Sequence, residues 1–183
     1  AINIVLAVGL LTGLFMVHYE KMPNPNSPVI GYLAPDGAAA KAGIKVGDKV
    51  VQIEDLPNPT WEQIFIKSAI SPGQPLDVWV MRAGERLHLT LTPTPEEKQG
   101  TGNAGWAQES EIEVASVLKG MDGERAGLAR GDILVSVNGQ VLRSIGRLNE
   151  IENQTNGAPL DLVYSRKGEN HAVTVKPAKR DEG

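Results

Sequence analysis

Cysteine is absent from this chain of 183 residues. Its absence excludes a disulfide framework, thiol catalysis and a cysteine-ligated zinc site, and it leaves the redox compartment undecided. An excess of positive charge is absent too, because 18 Lys and Arg are outnumbered by 22 Asp and Glu, and neither half is polybasic. The charge balance therefore makes nucleic acid a poor candidate partner.

Recognisable catalytic and metal-binding motifs are also missing. No HExxH, GxSxG or P-loop string occurs in the sequence. The only histidines are His18, His88 and His171, and we interpret the last two as solvent-facing residues of strands. We therefore expect no catalytic residue, metal ligand or cofactor site in this segment.

Aromatic side chains are scarce, with 3 Trp, 3 Tyr and 2 Phe, whereas the chain has 20 Gly and 12 Pro. Hydrophobic residues still make up 41% of the sequence, which is enough for a core and argues against general disorder. This composition favours small, β-rich modules with many turns.

One long apolar run stands at the start, because residues 1–19 contain no formally charged side chain when His18 is neutral. A helix of this length measures about 28 Å, close to the roughly 30 Å hydrocarbon thickness of a bilayer. Pro23, Pro25 and Pro28 prevent the helix from continuing. We predict a transmembrane helix over residues 1–19, and the alternatives are a signal-peptide core or a buried helix of a globular domain.

The sequence contains an internal repeat. Residues 29–93 align with residues 113–177 without a gap and are identical at 14 positions, mostly Gly, Pro and Asp. Shared turn residues indicate two copies of one fold. The shared turns that we interpret as structural contain Gly43, Gly47, Asp48, Gly127, Gly131 and Asp132.

Each copy predicts the same order of elements in a mixed α+β fold. A strand leads into a short helix that ends at a glycine, and a second strand follows the Gly-Asp turn. A longer helix comes next, over residues 61–70 in one copy and 145–153 in the other, before a strand hairpin closes each copy. A polar stretch at residues 98–103 separates the copies.

The strings AAKAGIKVGDKVVQI (residues 39–53) and ERAGLARGDILVSVNGQ (residues 124–140) are similar to bacterial PDZ domains. Such domains carry an A-G-[I/L]-x-x-G-D turn between a short helix and a strand. Two copies behind an apolar segment beginning A-I-N-I-V-L-A resemble the site-2 protease family of intramembrane zinc metalloproteases, in particular the regulator of sigma-E protease type.

This resemblance implies two tandem PDZ domains, each a small β-sandwich or barrel with two helices. The implied boundaries are a transmembrane helix at 1–19, a first PDZ domain at 22–97, a linker at 98–103 and a second PDZ domain at 104–178. It also implies a place at the bacterial inner membrane, anchored through residues 1–19, with the PDZ domains on the extracytoplasmic side.

The family's zinc ligands lie on an earlier HExxH helix and on an Asp after the PDZ pair, and neither motif is present here. The resemblance therefore implies a non-catalytic regulatory part of a zinc endopeptidase, whose zinc belongs to another part of the parent protein. Its expected role is to gate substrate access by size or by binding C-terminal ends. The alternatives are a membrane-anchored adaptor of a secretion or envelope system, or a PDZ fragment of an HtrA-type serine protease.

A PDZ domain adds an extended peptide to a sheet edge beside a helix, and backbone N–H groups of a nearby loop receive the terminal carboxylate. We assign this role to the second copy, because a Φ-G-Φ loop precedes its first strand, and we expect binding by the first copy to be weak or blocked. The helix residues can either form the groove wall or face the core. The candidate peptide-binding residues are Ala104, Gly105, Trp106, Ala107, Gln108, Ile145, Leu148 and Ile151.

Overall fold

The computed structural model describes residues 16–21, 28–96, 98–155 and 157–176. Its helices are α1 (Ala38–Lys41), α2 (Trp61–Ala69), α3 (Asp122–Arg125) and α4 (Ile145–Thr155). Its strands are β1 (Met16–Lys21), β2 (Ile30–Leu33), β3 (Lys49–Ile53), β4 (Leu56–Pro57), β5 (Leu76–Arg82), β6 (Glu85–Leu91), β7 (Thr94–Glu96), β8 (Thr101–Asn103), β9 (Trp106–Gln108), β10 (Glu111–Ser116), β11 (Ile133–Val137), β12 (Gln140–Val141), β13 (Leu160–Arg166) and β14 (Glu169–Val175).

The chain divides into two compact units, which we call the first and the second unit. The first unit is Met22–Glu109, and the second combines Ala1–Lys21 with Ser110–Gly183. The elements α1, β3, β4, β5 and β6 of the first unit have counterparts α3, β11, β12, β13 and β14 in the second. Each counterpart begins and ends at the positions that the internal repeat aligns with the first copy.

The first unit contains an antiparallel sheet in the order β4-β3-β5-β6, a separate pair β2-β9 and a small hairpin β7-β8. Side chains alternate along β5, where Leu76, Val78 and Val80 are buried and the residues between them are not. This alternation is what a strand with one face on a core requires. The core of the unit consists of Ile30, Ala38, Ala39, Ile44, Val50, Ile53, Ile64, Leu76, Val78, Val80, Leu91 and Ala104.

The second unit contains a sheet in the order β1-β10-β11-β13-β14, with β12 paired to β11. Strand β13 alternates in the same way, with Leu160, Leu162 and Tyr164 buried. The core of this unit consists of Ile112, Val114, Leu128, Leu134, Val137, Leu142, Leu148, Ile151, Leu160, Leu162, Tyr164 and Val175.

A buried ion pair closes the Gly-Asp turn of the first unit. Asp48 is 1% exposed, and its carboxylate accepts hydrogen bonds from the backbone N–H of Lys45 (2.8 Å) and from Arg82 Nε and Nη2 (2.7 Å each). Arg82 Nη2 also donates to the carbonyl oxygen of Gly43, a residue with φ of +83°. The arginine thereby ties the end of β5 to the turn that follows α1.

The same arrangement recurs in the second unit around Asp132. Its carboxylate accepts from the N–H of Ala129 and from Arg166, which also donates to the carbonyl of Gly127. Burial raises the pKa of Asp132, but the hydrogen bonds from Arg166 and Ala129 outweigh burial and hold that pKa below its ordinary value. The hydrogen bond to Asp132 in turn raises the pKa of Arg166.

The predicted transmembrane helix lies mainly outside the described residues, and where the two overlap the structure differs from the prediction. Met16–Lys21 is strand β1, paired antiparallel with β10. The edge of β10 offers this segment backbone hydrogen bonds that a helix would have to supply internally. In the described part of the chain, no helix has the length and apolar character needed to cross a bilayer.

The division between the units also differs from the predicted boundaries at 97 and 104. Strand β9 pairs with β2, with Ile30 opposite Gln108 and Leu33 opposite Trp106. Ala104 is 3% exposed and belongs to the core of the first unit. Residues 98–103, which the sequence predicts as a linker, include β8, which pairs with β7 of the same unit. The first unit therefore extends to Glu109.

Candidate peptide-binding edge of the first unit

Strand β9 forms one edge of the β2-β9 pair. In the described residues its hydrogen-bonded neighbour is β2 alone, so its other side carries no strand. Such an edge presents backbone N–H and C=O groups that can pair with an added peptide strand. The predicted residues Trp106, Ala107 and Gln108 make up this strand.

The loop before β9 is held by close backbone packing. The N–H of Ala34 donates to the carbonyl of Gly105, and the N–H of Ala39 donates to the carbonyl of Ala104, both at 2.8 Å. Gly105 has φ of +72°, and a Cβ there would lie 2.8 Å from Gly37 Cα. Only glycine satisfies both the left-handed backbone and this close approach. The loop is thus a fixed feature of the first unit.

Helix α2 lies beside this strand. Thr60 caps its N-terminus in a capping box with Gln63, whose backbone N–H donates to the threonine hydroxyl while its side chain accepts from the N–H of Thr60. The ring of Trp61 contacts the ring of Trp106 with centroids 6.0 Å apart and planes tilted by 57°. This contact joins the first turn of the helix to the first residue of β9.

Helix α2 also exposes large apolar side chains to solvent. Phe65 is 62% exposed, and Ile66 and Ile70 are 47% and 69% exposed. Phe65 lies four residues after Trp61, so both side chains lie on one face of the helix. Phe65 therefore lies one turn further along the face that meets β9.

An internal hydrogen bond occupies the loop itself. The N–H of Gly105 donates to Asn103 Oδ1 at 2.8 Å, and Asn103 Nδ2 donates to Glu96 Oε1 at 2.6 Å. Asn103 ends β8 and Glu96 ends β7, so the hairpin connects directly to the loop.

The helix residues that the sequence analysis paired with this loop lie elsewhere. Leu148 and Ile151, at 0% and 2% exposure, are part of the core of the second unit, and Ile145 packs against that core. The structure therefore places the five predicted loop and strand residues in the first unit, which contains α2, and these three residues of α4 in the second unit. Of the two roles left open for Leu148 and Ile151, the structure supports the core.

Residues equivalent to the exposed face of α2 have a different character in α4. In the alignment of the two copies, the exposed Phe65, Ile66 and Ile70 are replaced by Asn149, Glu150 and Gln154. Asn149 Oδ1 is buried and has no hydrogen-bond partner in the described structure. Glu152 takes the place of the buried Ser68, and burial raises the pKa of Glu152 to about 7. The second unit thus lacks the apolar face that α2 presents.

Sequence reasoning missed the contribution of α2. The available signal was the unusual apolar content of W-E-Q-I-F-I, in which Ile64 satisfies the core position and Phe65 and Ile66 are in excess.

The described residues also contain no group of three acidic or histidine side chains placed to hold a metal ion.

Comparison with known proteins identifies part of the chain. The PDZ-domain family model matches residues 113–166. Residues 113–166 are therefore similar to PDZ domains. This stretch lies entirely in the second unit, between β10 and the end of β13.

Bacterial zinc metalloproteases are among the similar proteins. The zinc metalloprotease RasP of Geobacillus kaustophilus is 38% identical over 96 residues, which cover 51% of this chain and 23% of that protein. The putative zinc metalloprotease NMA0084 of Neisseria meningitidis is 29% identical over 159 residues, covering 82% of this chain and 35% of that protein. The regulator of sigma-E protease RseP of Escherichia coli is 36% identical over 77 residues, covering 42% of this chain and 17% of that protein.

These similarities, together with the match to the PDZ-domain model, confirm the resemblance to the site-2 protease family. The matched part of the chain spans at most 35% of each of these three relatives.

Proposed function

We propose that this chain is the tandem PDZ region of a bacterial site-2-type zinc metalloprotease, and that its first unit binds the C-terminal end of a peptide along β9. The observation that carries the proposal is the side of β9 without a strand, next to the apolar face of α2. A peptide added there would gain strand hydrogen bonds from β9 and apolar contacts from Trp61, Phe65 and Trp106.

In this proposal the first unit is a PDZ domain as well. Support comes from the repeated bounds of its elements, from the shared Gly-Asp turn and from the repeated Asp–Arg pair. The first unit differs in chain order, because the strand that flanks β2 comes after β6 rather than before β2. That order explains why the Φ-G-Φ loop precedes the second repeat in sequence while it serves the first unit in space.

The two units would differ in what they bind. Apolar side chains on α2 suit an apolar terminal residue, whereas Asn149, Glu150 and Gln154 at the equivalent positions of α4 would leave such a residue against polar groups. We therefore assign apolar peptide ends to the first unit, which reverses the preference expected from the sequence alone.

In the parent protease such binding would regulate which substrates reach the active site. Substrates trimmed to expose an apolar C-terminus would be retained by the first unit, and bulky ones would be excluded by the space that the two units occupy. This role would put the chain at the inner membrane, with both units on the extracytoplasmic side. The zinc and its ligands would lie in other parts of the parent protein.

A single substitution with a matched control tests the binding site. Phe65→Glu places a charge on the apolar face of α2, and we expect it to weaken the binding of an octapeptide pool with C-terminal Leu about tenfold or more. Val46→Glu is the control, because Val46 is 48% exposed and lies in the turn before β3. Fluorescence anisotropy of the labelled pool measures both variants.

The proposal requires the two variants to differ. Equal affinities for the wild-type chain, Phe65→Glu and Val46→Glu would contradict it, provided circular dichroism shows that all three are folded. Absence of binding by the wild-type chain would instead favour regulation by size alone.

A further inference from the structure

The N–H of Gly105 lies at the centre of the loop that a peptide carboxylate would approach. In PDZ-type recognition, backbone N–H groups of this loop donate to the terminal carboxylate. Here the Gly105 N–H already donates to Asn103 Oδ1 at 2.8 Å. A neutral amide oxygen from the chain itself therefore stands where a ligand oxygen would accept.

The orientation of the Asn103 side chain is fixed from its other end. Asn103 Nδ2 donates to Glu96 Oε1 at 2.6 Å. A carboxylate only accepts hydrogen bonds and a backbone N–H only donates them, so the two partners together determine which end of the amide is oxygen. Glu96 thus holds the amide with its oxygen directed at Gly105.

The hairpin that carries Asn103 is anchored on α2. Thr94 pairs with Asn103 and Glu96 with Thr101, which sets both side chains in one short β-ladder. Gly102 packs so closely against the carbonyl of Ser68 that no Cβ fits there. Asn103 is therefore held beside the peptide-binding edge by the same helix that forms its apolar face.

We propose that Asn103 is a specificity-determining residue that occupies the carboxylate position of the first unit and lowers its preference for free C-terminal ends. The inference rests on the proposed peptide binding. A carboxylate is a stronger acceptor than an amide oxygen, so it displaces Asn103 when it binds. Binding of a free carboxylate must first break the Asn103–Gly105 hydrogen bond. An amidated end has no carboxylate to displace the Asn103 side chain, so its binding leaves that hydrogen bond in place.

Binding of two peptide pools to the full 183-residue chain tests this inference. The pools are octapeptides with randomised positions and C-terminal Leu, made either as the free acid or as the amide. Asn103→Ala is expected to bind the acid pool about three- to tenfold more tightly than the wild-type chain, since one hydrogen bond no longer has to be broken. Affinity for the amide pool is expected to stay unchanged.

Two further variants separate the role of Asn103 from a change in folding. Asn103→Asp keeps an acceptor at the loop and adds a negative charge, so the acid pool should bind roughly threefold more weakly or worse. Glu96→Ala releases the amide and should act in the direction of Asn103→Ala, whereas Glu96→Gln keeps an acceptor for Asn103 Nδ2 and should resemble the wild-type chain. Thermal unfolding of each variant shows whether the fold is retained.

The outcomes separate the inference from the proposed function. The inference is overturned if Asn103→Ala weakens binding of the acid pool, or if it changes binding of the acid and amide pools equally. Asn103 would then be a structural residue of the loop. If the wild-type chain and every variant fail to bind both pools, the proposed function fails, and the inference with it.

Discussion

At the scale of single residues, the repeated Asp–Arg pair explains several of the identities between the two copies. Asp48 and Arg82 are 34 positions apart, and so are Asp132 and Arg166. The Gly-Asp turn was readable from local sequence because glycine and aspartate favour turns. Its arginine partner was not readable, because no local pattern connects residues on different elements.

Breaking this pair should destabilise the first unit. Arg82→Met leaves the buried Asp48 carboxylate with one backbone donor, and we expect a loss of about 2 kcal/mol in the free energy of unfolding. Arg86→Met is the matched control, because Arg86 is exposed and donates to Gln52 on the open face of the sheet. Urea unfolding at pH 7 measures both, and similar losses for the two variants would contradict this account.

Glu152 makes the stability of the second unit depend on pH. Burial raises its pKa to about 7 in the folded chain, above the roughly 4.3 of an unfolded glutamate. The folded state therefore favours the protonated form of Glu152. The contribution of this protonated side chain to the free energy of unfolding is fully present below about pH 4 and is lost as the pH rises through 7. Glu152→Gln should raise stability by about 2 kcal/mol at pH 8 and change it little at pH 4.

Urea unfolding at both pH values tests the assignment to Glu152. Glu150→Gln is a control on the same helix, although it also removes the ion pair with Arg147. A gain from Glu152→Gln that is the same at pH 4 and pH 8 would show that burial of this carboxyl is not the cause.

At the scale of elements, sequence periodicity identified the helices and strands but not their neighbours. The pattern placed α2 and α4 within a few residues of their observed bounds, because each carries core residues at helical spacing. It did not show that β9 pairs with β2, since most of the first unit separates those two strands in sequence. The loop at 104–106 was therefore assigned to the repeat that follows it rather than to the unit that contains it.

The loop glycine next to β9 offers a test of this pairing. Gly105→Ala combines a positive φ with a backbone clash at Gly37, whereas Gly47→Ala has a positive φ and open space around its Cβ. Both should lose about 1 kcal/mol from backbone strain, and Gly105→Ala should lose clearly more. Thermal unfolding decides between them, and equal decreases in melting temperature would mean that the Gly37–Gly105 contact is not formed in solution.

At the scale of the whole molecule, the repeat was visible in sequence because turn residues recur at a constant distance. The boundaries within it depended on which unit residues 98–109 join, and that depends on burial of Ala104 and on the β2-β9 and β7-β8 pairs. Such contacts are tertiary, so no composition change marked them. The resemblance to site-2 proteases did not depend on them, because it rested on two copies of the A-G-x-x-x-G-D turn behind an apolar segment beginning A-I-N-I-V-L-A.

Fragments should reflect these boundaries. A fragment of residues 28–109 should fold and give a dispersed proton NMR spectrum, because it contains the complete core of the first unit. A fragment of residues 28–97 lacks Ala104 and the partner of β2, and it should be less stable by several kcal/mol or unfolded. Equal dispersion and equal melting temperatures for the two fragments would show that residues 98–109 do not belong to this unit.

The central claim is that a peptide binds along β9 against α2, and NMR chemical-shift mapping tests it most directly. The free-acid octapeptide pool with C-terminal Leu is titrated into the isotopically labelled chain. The account predicts that the amide signals of Trp106–Gln108 and of Trp61–Ala69 shift together as the pool is added, while those of Ile145–Thr155 stay in place. Shifts confined to Ile145–Thr155 and Glu111–Ser116 would contradict it and return the site to the second unit.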